Sequence, residues 1–319
     1  MGILRWSRLW MAGLAAAGGV AGTCLFGALG VVVPPAGAAA AARSGKVVAV
    51  GAENEYADVI SQIGGQYVTV TAIMSNPNTD PHTFESSAKV SRVVAAAELV
   101  IQNGVGYDSF MTRIEAASPS PARKVIDVQH LLGLPASTPN PHLWYEPTTM
   151  PAVAKAVAKD LTHFMPSQAG YFQQNLEVFD ASLTPYYQEI AKIKATFPHA
   201  GVATTEPVAD YMLQAAGIDN ETPWALQADI MNTTDPSPQD VSIQDGLFSE
   251  KKVKVFVYNQ QVTSSVTKAF LELAQRGKIP VVGVYETMPT PGYHYQTWML
   301  AEADALYNAL AKGTSSPKL

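Results

Sequence analysis

Two histidines stand at proline corners of the same make, Asp80-Pro81-His82-Thr83-Phe84 and Asn140-Pro141-His142-Leu143-Trp144. Proline fixes its own φ and pushes the residue before it out of the helical region, so each imidazole is presented from a stiff turn. Neutral imidazole is the commonest metal-ligating side chain. One such corner alone reads as an ordinary surface turn; two in one chain read as a pair of aimed metal ligands.

Two carboxylates complete the set. In open α/β sheets, ligands bind beyond the carboxyl ends of strands. His82 follows a strand-like run at 68–74, Glu206 one at 201–204 and Glu286 one at 281–284. Taken singly, Glu206 before Pro207 is explained by an acid complementing a helix start. Glu286, next to a turn-rich stretch, reads as a solvated acid. Their common position after strands is what joins them to the histidines. His130, His163 and His199 fall at element ends, and His294 is the spare candidate. Two imidazoles and two carboxylates suit manganese, iron(II) or zinc, and sulfur donors for copper(I) are missing. A glutamate that chelates through both oxygens raises the coordination number and helps manganese; zinc, higher in intrinsic affinity, should bind as well.

The elements that must position these groups alternate. Short apolar runs at 47–50, 68–74, 99–101 and 124–128 are separated by helical spacings, which predicts an α/β sheet. The alternation restarts after residue 200, with strands at 201–204, 253–258 and 281–284 and helices at 208–216, 242–250, 264–276 and 297–311. The stretch 221–239, rich in Pro, Thr, Asn and Asp, reads as a loop. Between the halves a helical pattern runs over 168–195, with Pro185 inside it to kink or split it. The fold class is therefore α/β in two lobes, each a mainly parallel sheet flanked by helices, joined by one long linker helix. The division is 43–167, linker 168–197, and 198–312, with a disordered tail at 313–319.

The 319 residues are 47% hydrophobic, enough for two ordinary cores, and the net charge of −6 does not invite nucleic acid. Residues 1–42 carry Arg5 and Arg8, then an uncharged run, then small residues suited to a signal peptidase, so export is expected. The run is also long enough for an uncleaved anchor. Cys24 is the sole cysteine, so the exported lobes lack disulfides and depend on core size; lipid attachment to Cys24 is a further route to a tether.

The chain resembles the solute-binding proteins of manganese- and zinc-importing ABC transporters over 46–312. The resemblance rests on the two Pro-His corners, Asn103-Gly104-Val105-Gly106-Tyr107-Asp108, Thr205-Glu206-Pro207-Val208-Ala209-Asp210-Tyr211 and Tyr285-Glu286-Thr287, in that order. It implies a metal buried between two lobes, with His82, His142, Glu206 and Glu286 as ligands. It also implies a monomer that delivers Mn2+ or Zn2+ to a membrane permease from the periplasm or the outer face of the membrane. Departures are Asn140 and Glu286 where aspartate is usual, a 256–260 stretch without the usual glutamate, and no histidine-rich loop. A metal-dependent hydrolase is the rival reading, but no His-Glu-x-x-His motif supplies a general base. A surface adhesin of the same fold is the other, without a stalk or repeat to support it.

Overall fold

Apolar runs buried on both faces become parallel strands. In the computed structural model, which describes residues 45–289 and 291–319, they form two four-stranded sheets. The first contains β1 (Val47–Glu53), β2 (Val68–Met74), β3 (Leu99–Gln102) and β4 (Lys124–Asp127), in the order β2-β1-β3-β4. The second repeats that order as β6-β5-β7-β8, with β5 (Gly201–Thr204), β6 (Asp219–Asn220), β7 (Val255–Asn259) and β8 (Val281–Val284). All neighbouring strands in both sheets run parallel. The signal or anchor expected at 1–42, Cys24 included, lies outside the described residues. No helix among the described residues is long and apolar enough to cross a membrane.

The two-residue period of a strand sorts its side chains between cores. Leu99 and Ile101 join the large core that contains Trp144, Phe172, Phe179, Tyr186 and Trp298, while Val100 turns to a smaller one with Phe110 and Met111. In β7, Val255 and Val257 face the large core, and Phe256 and Tyr258 face a third with Phe248 and Phe270. The large core draws on both sheets, and the linker packs into it. The linker consists of helices Ala169–Ser182 and Thr184–Thr196, meeting at Leu183. Pro185 lies in the first turn of the second helix, where its missing N–H costs least.

Two sequence expectations are corrected. The supposed loop at 221–239 contains a helix, Trp224–Met231, that buries Leu226, Gln227, Ile230 and Met231. Its eight residues are too few for a periodic signal among the polar flanks. The tail is not disordered: Ser316 N donates to Val281 O (2.8 Å), and Gly283 N donates to Ser316 O (2.9 Å). β8 is an edge strand with open backbone groups, and the tail takes them up. Gly283 allows this approach, because an added Cβ would collide with the Pro317 carbonyl.

The helix Tyr295–Lys312 carries Glu302 into the large core, fully buried. Trp298 Nε1 donates to its Oε1 (2.7 Å). Tyr145 Oη lies 2.7 Å both from Glu302 Oε2 and from the Tyr285 carbonyl, yet it has one proton. A protonated Glu302 resolves this, donating to Tyr145, which donates to Tyr285. Burial pushes the Glu302 carboxyl up to about 8, against lowering by the bonds from Tyr145 and Trp298. Its folded pKa is above the unfolded value, so its contribution is whole at low pH and is lost as pH rises towards about 8. The loss approaches about 1.4 kcal/mol per pH unit for one proton. Glu302→Gln, which can copy the protonated acid, should match wild type in melting temperature near pH 5 and surpass it increasingly towards pH 8; parallel melting curves across that range would show the acid to be ionised in the fold.

Candidate metal centre

Both histidine corners are built alike. Asp80 Oδ1 accepts from His82 N (2.8 Å), and Asn140 Oδ1 accepts from His142 N (3.0 Å). A short 3-10 turn then covers Pro81–Thr83 at the first corner and Leu143–Tyr145 at the second. Asn103, at the end of β3, donates from Nδ2 to Pro141 O (2.8 Å), which fixes the second corner to the first sheet.

Asn140 does more than an aspartate could. Its Nδ2 donates to Pro207 O (2.7 Å), the residue after Glu206. This settles the amide's orientation, so Oδ1 accepts from His142 Nδ1 at 2.7 Å. Neutral His142 therefore carries its proton on Nδ1 and aims the Nε2 lone pair into the crevice. Such an outer hydrogen bond fixes the tautomer of a metal-ligating imidazole.

Glu286 is the centre of the group. It follows β8 by two residues and is fully buried. Gln261 Oε1 accepts from the backbone N–H of both Glu286 (2.6 Å) and Thr287 (2.9 Å). Glu286 Oε2 lies 3.1 Å from His82 Nε2 and 3.3 Å from His142 Nε2, and Tyr107 Oη donates to it at 2.9 Å. The His82 contact is off the line of a hydrogen bond, which leaves that nitrogen without a hydrogen-bond partner. Ligand bonds of about 2.1 Å in a tetrahedron separate neighbouring donor atoms by about 3.4 Å. The spacing of these three atoms is thus close to what one small cation requires.

The charges agree with that assignment. Burial alone would raise the Glu286 carboxyl, but the histidines beside it, the charge of His82 foremost, hold it well below the usual range. Burial pulls both imidazoles down; for His82 the nearby acids Glu286 and Asp80 together more than offset it, and for His142 Glu286 does not. Glu206 is held well above its ordinary value, by burial first and then by the Glu286 charge.

Of the four expected ligands, His82, His142 and Glu286 have donor atoms within 4.8 Å of one another. Glu206 stands outside that cluster. It is buried, its Oε2 has no hydrogen-bond partner, and its Oε1 accepts from Asn259 Nδ2 (3.2 Å). The spare candidate His294 is exposed and paired with Asp58 at 2.7 Å; His130 and His199 are exposed and face Asp127 and Asp219. Sequence reasoning missed Tyr107, Asn259 and Gln261 as partners of Glu286. Tyr107 lay within a quoted motif, but nothing local marks an amide that will reach a carboxylate 27 residues away. It also missed Glu53 and Glu55, fully buried at the end of β1 and two residues beyond it, and both held well above the usual carboxylate range, foremost by burial.

The profile of the family described as zinc-uptake complex component A, periplasmic, matches residues 50–309. The chain belongs to this family. Its members are substrate-binding proteins and not enzymes, which removes the hydrolase reading. Among relatives, a putative metal-binding protein of Treponema pallidum is 21% identical over 202 residues, 58% of this chain and 62% of that protein. The manganese-binding lipoprotein MntA of Bacillus subtilis is 22% identical over 241 residues, 72% of this chain and 76% of MntA. Among solved structures, the periplasmic zinc-binding protein TroA of Treponema pallidum superposes with a TM-score of 0.72 at 18% identity, covering 84% of this chain and all of TroA. The likeness to TroA establishes the two-lobed α/β fold expected from the alternation of strands and helices.

The role given to Asn140 makes a graded prediction. Asn140→Ala removes the acceptor that fixes the His142 tautomer and should weaken metal binding roughly 10–100-fold. Asn140→Asp keeps the acceptor and should lose much less. Chelator-competition titrations of the two variants give the comparison, and equal losses would assign Asn140 a structural role alone.

Proposed function

We propose that the chain is an extracytoplasmic solute-binding protein that captures one divalent metal ion, manganese or zinc, between its lobes and delivers it to an ABC transporter permease. The observation that carries this reading is the convergence of His82, His142 and Glu286 donor atoms in a buried crevice. Glu206 is proposed as the fourth ligand, because its unpartnered buried oxygen needs either a proton or a cation. The proposed lobes are 43–167 and 198–312, joined by the helical connection at 168–197. Family membership supports both the metal and the transporter partner. The working unit is proposed to be a monomer, exported and held in the periplasm or at the outer face of the membrane.

Calorimetry on the metal-stripped protein should give about one ion per chain, and His82→Ala or Glu206→Ala should abolish most of the affinity. Undiminished binding in both variants would remove the site. Affinity should also fall as pH drops through the imidazole range, since a protonated histidine cannot ligate and each bound ion must displace protons. Proton release on loading, measured by calorimetry in buffers of different ionisation enthalpy, should accordingly be non-zero below neutrality.

A further inference from the structure

Asn259 ends β7, which pairs with β5 in the middle of the second sheet. Its side chain is buried, and its amide nitrogen faces both glutamates of the crevice. Nδ2 donates to Glu286 Oε1 at 2.7 Å and to Glu206 Oε1 at 3.2 Å, using both amide hydrogens. The amide cannot turn freely, because Oδ1 accepts from Gln261 N (2.9 Å) and the Asn259 backbone N–H donates to Thr205 Oγ1 (3.0 Å). The oxygens that Asn259 leaves are Oε2 of Glu286, which faces the imidazoles and also accepts from Tyr107 Oη (2.9 Å), and Oε2 of Glu206, which is buried without a partner.

We propose that Asn259 determines the metal preference of the site: by holding one oxygen of each glutamate, it leaves one oxygen apiece for the ion and makes a four-coordinate N2O2 site that favours zinc over manganese. This rests on the metal-capture reading and refines it. Zinc accepts four ligands in a tetrahedron, whereas manganese is served by more oxygen donors in an octahedral arrangement. A glutamate free to chelate through both oxygens would supply those extra donors. Here the second oxygen of each acid points to an amide that is itself fixed, so neither acid is free to chelate through both oxygens. Asn259 touches no ion in this scheme; it is a positioning residue that acts through the two acids. It also places a donor between two buried carboxylates that would otherwise repel.

The test uses the metal-stripped full chain, Asn259→Ala and Asn259→Asp. Cobalt(II) reports coordination number, since a tetrahedral ion absorbs visible light far more strongly than an octahedral one. Wild type should give the intense spectrum. Both variants should give a weaker one, and their ratio of manganese to zinc dissociation constants should shrink by about tenfold or more. Zinc and manganese affinities are read by chelator competition, with circular dichroism to confirm folding. An unchanged ratio and spectrum in the folded variants overturns the proposal, and so does a pale octahedral spectrum from wild type, without any variant. Absence of zinc and manganese binding in wild type is a different result, which ends the metal-capture reading itself.

Discussion

A carboxylate sealed from water must be given positive or donating partners, and the crevice is organised around meeting that need for Glu286. Removing such a charge from water costs several kcal/mol even after relaxation. Tyr107 and Asn259 donate to its two oxygens, His82 and His142 stand beside one of them, and Gln261 holds its backbone. These partners come from separate stretches of the chain, so none of them is secured by local structure. The two sheets, the proline corners and the linker can be understood as the means of bringing them to one point.

That arrangement also gives a physical role to two amides beside the acids. At Asn140, an aspartate could still orient His142, but it could not donate to the Pro207 carbonyl. At Asn259, a glutamate would add a third carboxylate beside Glu206 and Glu286; the amide instead satisfies one oxygen on each. At both positions the amide offers a donor where an acid would add a negative charge. In a buried space already containing two acids, the amide lowers repulsion while keeping the geometry.

The strands were legible because buried parallel strands are nearly continuous apolar runs, and their carboxyl ends pointed to His82, Glu206 and Glu286, of which His82 and Glu286 come together with His142. Proline chemistry exposed the two corners. Less visible were features set by distant partners. The helix Trp224–Met231 lay among turn-forming residues. The 313–319 tail looked like solvated chain because its polar sequence gives no hint of an edge strand waiting beside it. The same holds within the site: Asn259 and Gln261 look like loop-end polar residues, and only the fold turns them towards Glu286.

Several of the bonds that tie the early part of the chain to the late part across the crevice are uncharged. Asn54 exchanges hydrogen bonds with the Met288 backbone, Gln261 reaches Thr79 O, Asn140 reaches Pro207 O, and Tyr295 reaches Trp144 O. Dissolved ions screen charge pairs at the surface but have little hold on amide-to-carbonyl bonds in the interior. Bonds of this kind should hold the jaws about as tightly in dilute as in briny surroundings.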